Sequence, residues 1–231
     1  FINKQVNSEI RDNIDKSLEK NTSNKYFFGK DFNIAKSENG FIQYQDQLGE
    51  LVLPEPSILG DHQLYNISTS IAASRKIFNI KDEYIRNGIK NISLKARLEE
   101  IKSGKLKDIA GNNKLVIDGG HNISASLSIA NWVKNQNEEA NLIVGMMKDK
   151  EHVEFIKAFE NIVNSITLID IPNQDGAISK EDFKKKLDNL KLNLKLSNGI
   201  EESIKSLSKN ENTIILCLGS LYLAGEILSL N

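Results

Sequence analysis

Leu115-Val116-Ile117-Asp118-Gly119-Gly120-His121-Asn122 carries an apolar run into an acid, two glycines, an imidazole and an amide. The run reads as a short buried strand, and the residues after Asn122 have helical spacing. A strand that turns into a helix in this way marks the carboxyl edge of an open α/β sheet, where such folds bind ligands. The glycines let backbone come close to a ligand. The helix start offers unpaired N–H groups and the positive end of its dipole. Asp118 and His121 are then expected to project into one crevice. The same residues also fit an ordinary strand–turn–helix junction with a solvated Asp, because a short motif alone is only a hypothesis.

Downstream, apolar runs at 114–118, 141–146, 165–170, 192–196 and 213–218 alternate with helical patterns at 122–135, 151–163, 179–190, 200–207 and 220–228. This rhythm predicts a Rossmann-like, mostly parallel sheet with helices on both faces. Ile156, Phe159, Ile162 and Val163 have the spacing of a buried helical stripe. Ser179 and Ser220 are candidate N-caps.

Upstream the pattern changes. Residues 9–19 predict an amphipathic helix carrying Ile10, Ile14 and Leu18. Short strands are expected at 26–28, 41–45 and 50–53, with a turn at Asn39-Gly40 and a stop at Pro54 and Pro56. Two helices follow, at 60–78 with Leu64, Ile67, Ile71 and Phe78 along one side, and at about 81–90. These elements predict the tail of a larger α/β domain, not a complete one. The boundary falls near 91–93, which divides the chain into 1–92 and 93–231. The sequence opens on Phe1 rather than Met, so a fragment or a processed product is expected.

Composition narrows the function classes. The 231 residues hold 30 Lys and Arg against 31 Asp and Glu, a formal net charge of −1. That balance gives no general electrostatic reason for a nucleic acid or an anionic membrane as partner. No apolar run is long enough to cross a bilayer and no signal-peptide pattern opens the chain, so a cytoplasmic location is expected. A single cysteine excludes an internal disulfide and fits a reducing compartment. Cys217 lies in an apolar run and reads as a small core residue. The three histidines, His62, His121 and His152, are too scattered for a zinc site, and no metal ligand is assigned.

Other stretches can carry chemistry. In Gly60-Asp61-His62-Gln63-Leu64-Tyr65-Asn66, the polar side chains at helical spacing share a face and can read a purine or phosphate edge; helix capping with solvated polar groups is the alternative. Arg97, in Ser93-Leu94-Lys95-Ala96-Arg97-Leu98-Glu99, can make bidentate phosphate contacts from the domain boundary. It can equally be a surface Arg beside Glu99 or Glu100. Gly145-Met146-Met147-Lys148-Asp149-Lys150 and Ser220 fall on the same carboxyl edge as Asp118.

In this order, G-x-H-Q-x-x-N, R-L-E, I-D-G-x-H-N, G-M-x-x-D-K and G-S-L-Y-L-A-G-E resemble folylpolyglutamate synthase/dihydrofolate synthase, the folate branch of the Mur ligase superfamily. Gly29-Lys30-Asp31-Phe32 adds the G-K-D-F segment of that family. The resemblance implies an ATP-dependent ligase working between two domains. A folate or pteroate carboxylate takes the γ-phosphate of ATP, and the amine of L-glutamate attacks the acyl phosphate. It implies nucleotide contacts at Asn66, Arg97 and Asp118 and a catalytic role for His121. Residues 1–92 would be the remnant of a P-loop-type α/β ATPase domain and 93–231 the glutamate-ligase domain. The implied partners are ATP with Mg²⁺, L-glutamate, and a folate or dihydropteroate, with a separate N-terminal polypeptide as a further candidate.

Three departures accompany the resemblance. The 231 residues contain no G-x-x-G-K-[ST]-like phosphate loop. Most Mg²⁺ ligands are therefore expected outside this sequence, and the chain alone is expected to be inactive. Lys95-Ala96 stands where the family has Pro-Gly before the hinge Arg. The Arg expected after Ile171-Pro172 is absent, with Asp175-Gly176 near its place. A non-catalytic remnant or nucleotide-binding module is the alternative. A nicotinamide-dependent dehydrogenase is disfavoured, since no G-x-G-x-x-G follows Asp118.

Overall fold

The computed structural model describes residues 1–5, 8–19, 22–37, 39–58 and 60–231. They form two compact units, Phe1–Ser93 and Leu94–Asn231.

The first unit is built on an antiparallel meander of β1 (Phe32–Lys36), β2 (Phe41–Asp46) and β3 (Gly49–Pro54). Period-two alternation puts Phe32, Ile34, Ile42, Tyr44, Leu51 and Leu53 on one buried face. Against it pack Leu64, Ile67 and Ile71 of one helix (Asp61–Phe78) and Ile85 and Ile89 of another (Asp82–Lys90). These are α2 and α3. The preceding α1 (Ser8–Leu18) buries no residue, so its apolar spacing does not join this core.

Two expectations are corrected here. Residues 27 and 28 make only isolated bridges, and the first true strand is β1. Phe78 is 69% exposed rather than buried. The stripe's last inward position is Arg75, which donates to Asp46 and to the Gly49 carbonyl at the end of the meander. Phe78 lies nearly a turn beyond.

The second unit is a six-stranded sheet in the order β4-β5-β9-β6-β7-β8. Five strands run parallel: β5 (Lys114–Ile117), β6 (Ala140–Val144), β7 (Ser165–Leu168), β8 (Leu194–Leu196) and β9 (Ile214–Leu218). The edge strand β4 (Glu99–Ile101) pairs antiparallel to β5. Every residue of β6 and β9 is buried, as expected of central strands covered on both faces. In β9, Ile214, Leu216 and Leu218 enter one core, while Ile215 and Cys217 enter the other.

The first core is capped by α5 (Ile123–Lys134), α6 (His152–Lys157) and α7 (Lys180–Lys186). The second is capped by α4 (Lys105–Ala110), α8 (Ile200–Leu207) and α9 (Leu221–Leu230). The chain therefore leaves β5 toward one face and the adjacent β9 toward the other. That divergence is the topological switch point at which open α/β sheets form a crevice.

Three details depart from the sequence expectation. Helix α6 stops at Lys157, and turns carry Phe159 into the core, with Asn161 left-handed at φ 60°. The three-residue β4 and six-residue α4 are too short for a periodic signal. Ser179 and Ser220 do cap their helices, accepting from Asp182 and Tyr222. Among the described residues, no helix is long and apolar enough to cross a membrane.

Candidate functional site

The site of interest grows from the end of β5. The Asp118 amide makes the last ladder bond, 2.9 Å to the Cys217 carbonyl. Its carboxylate, on a residue only 4% exposed, then holds two amides. Oδ2 accepts the Leu98 N–H at 2.8 Å and Oδ1 accepts the Gly120 N–H at 2.6 Å. Asp118 thus fastens the strand end to the Leu98 loop and closes the glycine turn. A side chain at Gly119 would strike Leu221 and come within 3.0 Å of Arg97 Nη1, so its absence admits the guanidinium. Asn122 caps α5 by accepting the Ala125 N–H at 2.9 Å.

His121 leaves this turn with its ring fixed. Its Nδ1 lies 2.9 Å from the Gly119 carbonyl. A carbonyl can only accept, so Nδ1 carries the proton, and in the neutral ring the lone pair sits on Nε2.

Two further loops are laced to the first. The Gly219 amide donates to the Gly120 carbonyl at 3.0 Å, and the Gly145 amide to the Leu218 carbonyl at 3.3 Å. The Gly145 loop carries Lys148, whose Nζ donates to the Asp175 carbonyl at 2.8 Å, and the pair Lys150–Asp149 at 2.7 Å. The Lys150 ammonium holds the Asp149 carboxyl below its ordinary range, and nearby His121 adds to that effect. Burial, the facing Lys186 ammonium and their balance with the Met147 carbonyl and Asp149 keep His152 below the ordinary histidine value. Cys217, in the central strand β9, is buried in the core on one face of the sheet, and burial pushes its thiol up to about 12, so it is no nucleophile.

The fold therefore brings Arg97, Asp118 and His121 into one loop cluster at the switch point of the second unit. Asn66 lies in the first unit, on α2. There it donates to Gln63 at 3.3 Å and accepts from Asn3 at 2.9 Å, while Gln63 bonds His62 at 2.9 Å. Gly29-Lys30-Asp31-Phe32 forms a tight turn into β1. Asp31 accepts the Phe27 N–H at 2.8 Å, and the Gly29 amide donates to the Phe32 carbonyl at 2.8 Å. Among the described residues no three His, Cys, Asp or Glu gather to hold a metal ion. In the sequence Glu99 has no role of its own, only a place in R-L-E and beside Arg97. Its carboxylate instead accepts the Ala96 N–H at 2.8 Å and pairs with Lys95 at 2.7 Å.

A doubly wound α/β domain with a glycine-turn crevice is what this geometry defines. Residues 103–230 match the family model for the C-terminal domain of dihydrofolate synthetase. The chain belongs to the dihydrofolate synthetase family through this domain. It is 22% identical over 184 residues to a probable dihydrofolate synthetase of Schizosaccharomyces pombe, covering 73% of this chain and 42% of that protein. Its fold matches Mycobacterium tuberculosis folylpolyglutamate synthase complexed with ADP and AMPPCP. The TM-score is 0.80 at 17% identity, over 99% of this chain and 54% of that one. It also matches the Yersinia pestis bifunctional folylpolyglutamate synthase/dihydrofolate synthase complexed with AMPPNP and Mn. There the TM-score is 0.77 at 17% identity, over 94% of this chain and 50% of that one. The chain thus spans about half the length of the relatives it matches.

Proposed function

We propose that this chain supplies the glutamate-ligase half of an ATP-dependent enzyme that joins L-glutamate to a folate or dihydropteroate carboxyl through an acyl phosphate. The observation that carries this reading is the close approach of the Arg97 guanidinium to Gly119 at the switch point, with both bonded to the Ala96 carbonyl, in a chain of this family. In this reading residues 93–231 are the ligase domain and 1–92 belong to a P-loop-type ATPase domain. The reaction takes place in the cytoplasm.

In this reading Arg97 brings a fixed cation to the nucleotide phosphates, where a planar donor fork gains most. Asp118, its carboxylate set by the Leu98 and Gly120 amides, accepts from the ribose or the base. A nucleotide contact at Asn66 is what the family resemblance implies. His121 Nε2, with the ring held by the Gly119 carbonyl, takes a proton from the ammonium of glutamate; the freed amine then attacks the acyl carbon, forming the C–N bond as the C–O bond to phosphate breaks and phosphate leaves. Mg²⁺, when bound, would neutralise phosphate charge; among the described residues no three His, Cys, Asp or Glu gather to hold it.

Titration calorimetry with Mg-ATP tests the reading. Binding by the 231-residue chain that weakens in both Arg97→Ala and Asp118→Ala supports it. Binding indifferent to Arg97→Ala, or none at millimolar nucleotide, overturns the nucleotide assignment. The chain alone is expected to be inactive, so ATP-dependent glutamate ligation by it would sink that part.

A further inference from the structure

We propose that Glu99 is a positioning residue for Arg97: it holds the loop that aims the guanidinium over the Gly119–Gly120 turn. The proposal rests on the nucleotide reading of that site and extends it to a residue not previously assigned a role.

The loop is strained at two places. Ala96 and Leu98, on either side of Arg97, are both left-handed, at φ 53° and 46°. Neither is glycine, and each pays for its Cβ against the backbone. Such conformations persist where the surroundings over-determine them, and they gather at functional sites. Here the anchors can be named. The Ala96 N–H is held by Glu99 Oε2 at 2.8 Å and the Leu98 N–H by Asp118 Oδ2 at 2.8 Å. The Ala96 carbonyl accepts from the Gly119 amide at 2.9 Å and from Arg97 Nη1 at 3.0 Å.

The side chains add a second restraint. Ala96 is buried in the core on one face of the sheet and Leu98 in the core on the other. Arg97 therefore sits on a backbone pinned on both faces, with each flanking amide given to a carboxylate. Those carboxylates come from adjacent strands. Glu99 opens β4 opposite Ile117, the last residue of β5, and Asp118 follows Ile117. Lys95 holds the other Glu99 oxygen at 2.7 Å.

This arrangement also explains how Ala96 replaces the glycine expected before the hinge Arg. Ala96 holds the left-handed conformation that glycine adopts most readily, and the Glu99 bond offsets its cost. One of the five guanidinium N–H groups is committed to the Ala96 carbonyl, which leaves the fork geometry for an anion.

The test measures Mg-ATP affinity by calorimetry and the Arg97 Nε–H resonance by NMR, in the whole chain and in Glu99→Ala, Glu99→Gln, Arg97→Ala and the Glu99→Ala/Arg97→Ala double variant. Loss of a charge-assisted bond predicts about tenfold weaker binding in Glu99→Ala. Glu99→Gln, which keeps an acceptor for the Ala96 N–H, restores most of it. The double variant binds no more weakly than Arg97→Ala alone, because the two act as one unit. Additive losses, or no recovery in Glu99→Gln, overturn the proposal. If the parent chain binds no nucleotide, the functional reading fails and the resonance decides. A Glu99→Ala chain whose Arg97 Nε–H signal keeps the parent's position and sharpness refutes positioning. Broadening or collapse toward the free-arginine position, recovered in Glu99→Gln, supports it.

Discussion

Asn231 caps a helix that begins 126 positions earlier in the chain: its Oδ1 accepts the Leu106 N–H at 3.0 Å and the Lys107 N–H at 3.3 Å. Helix α4 has Gly104 at its own cap position and no side-chain cap of its own. Asn231 Nδ2 completes the contact by donating to the Ser103 carbonyl at 2.8 Å. An Ala there leaves the second and third amides of the helix without this acceptor. Asn231→Ala should lower stability by about 1 kcal/mol, the usual cost of a lost N-cap. Urea unfolding followed by Trp132 fluorescence reports the second unit. An unchanged midpoint would show that the cap adds nothing.

His152 gives a pH dependence with a definite sign. Its Nε2–H donates to the Met147 carbonyl at 3.0 Å, and Nδ1 accepts from Lys186 Nζ at 3.3 Å, with the ring edge-on to Phe183. Protonation at Nδ1 would set two cations face to face. Burial first, and Lys186 second, lower the folded pKa, while the Met147 carbonyl and Asp149 act the other way. The unfolded chain therefore binds this proton first on acidification. The contribution is intact above the unfolded value of about 6.5 and drains away as pH falls from there toward the folded pKa. His152→Gln, which can keep the bond to Met147, should flatten the fall in urea midpoint between about pH 7.5 and 5. Parallel curves for the two proteins would refute this.

In the first unit the charge on Asp46 is committed. Its oxygens accept from Arg75 Nη1 at 2.9 Å, Tyr44 Oη at 2.9 Å and the Leu48 N–H at 2.8 Å. Arg75 and Asp46 expose only 8% and 11% of their side chains. Burial first, and the Asp46 bond second, push the Tyr44 hydroxyl upward, so it stays a donor. Removing Asp46 leaves the buried Arg75 guanidinium only the Gly49 carbonyl at 3.2 Å and the Asp82 carboxylate at 3.6 Å. Asp46→Ala should cost about 3 kcal/mol, and the Arg75→Met/Asp46→Leu pair distinctly less than the sum of its single changes. Circular dichroism in urea measures this, and additive losses would show the pair to be uncoupled.

The centre of the second unit's sheet was readable because β6 and β9 are largely apolar runs that end at a glycine, as in Ile214–Leu218 followed by Gly219. Three-residue β4 has no such run, and α4 depends on Asn231, which no local pattern reveals. The strand β1, Phe-Asn-Ile-Ala-Lys, buries only Phe32 and Ile34, too few to separate it from a turn. At the site, Asp118, Gly119 and His121 stood out because an acid and glycines interrupt a buried run. Glu99 did not, because its partner is a backbone amide in a left-handed loop that only the folded chain creates. The second amide held by Asp118, that of Leu98, was equally hidden, since it joins residues 20 apart.

The two glycines of the last strand–helix unit separate backbone need from mere helix composition. Gly219 has φ +108°, where side chains are strained. A Cβ there would lie 2.7 Å from the Gly145 carbonyl oxygen and 2.8 Å from Met146 Cγ. Backbone cannot yield as a flexible side chain can, and the Gly219 amide also ties β9 to the Gly120 turn at 3.0 Å. Gly219→Ala should therefore cost about 2 kcal/mol in strain alone, with the clash added, and loosen the crevice it closes. Gly225, inside α9, has open space where a side chain would begin, and ordinary helical geometry. There an added methyl removes backbone entropy from the unfolded chain, and Gly225→Ala should stabilise by about 0.5–1 kcal/mol. Opposite shifts of the urea midpoint in these two variants are the expected result. A tolerated Gly219→Ala would mean that the loops around the switch point move apart freely, and would remove the rigidity on which the placement of Arg97 and His121 depends.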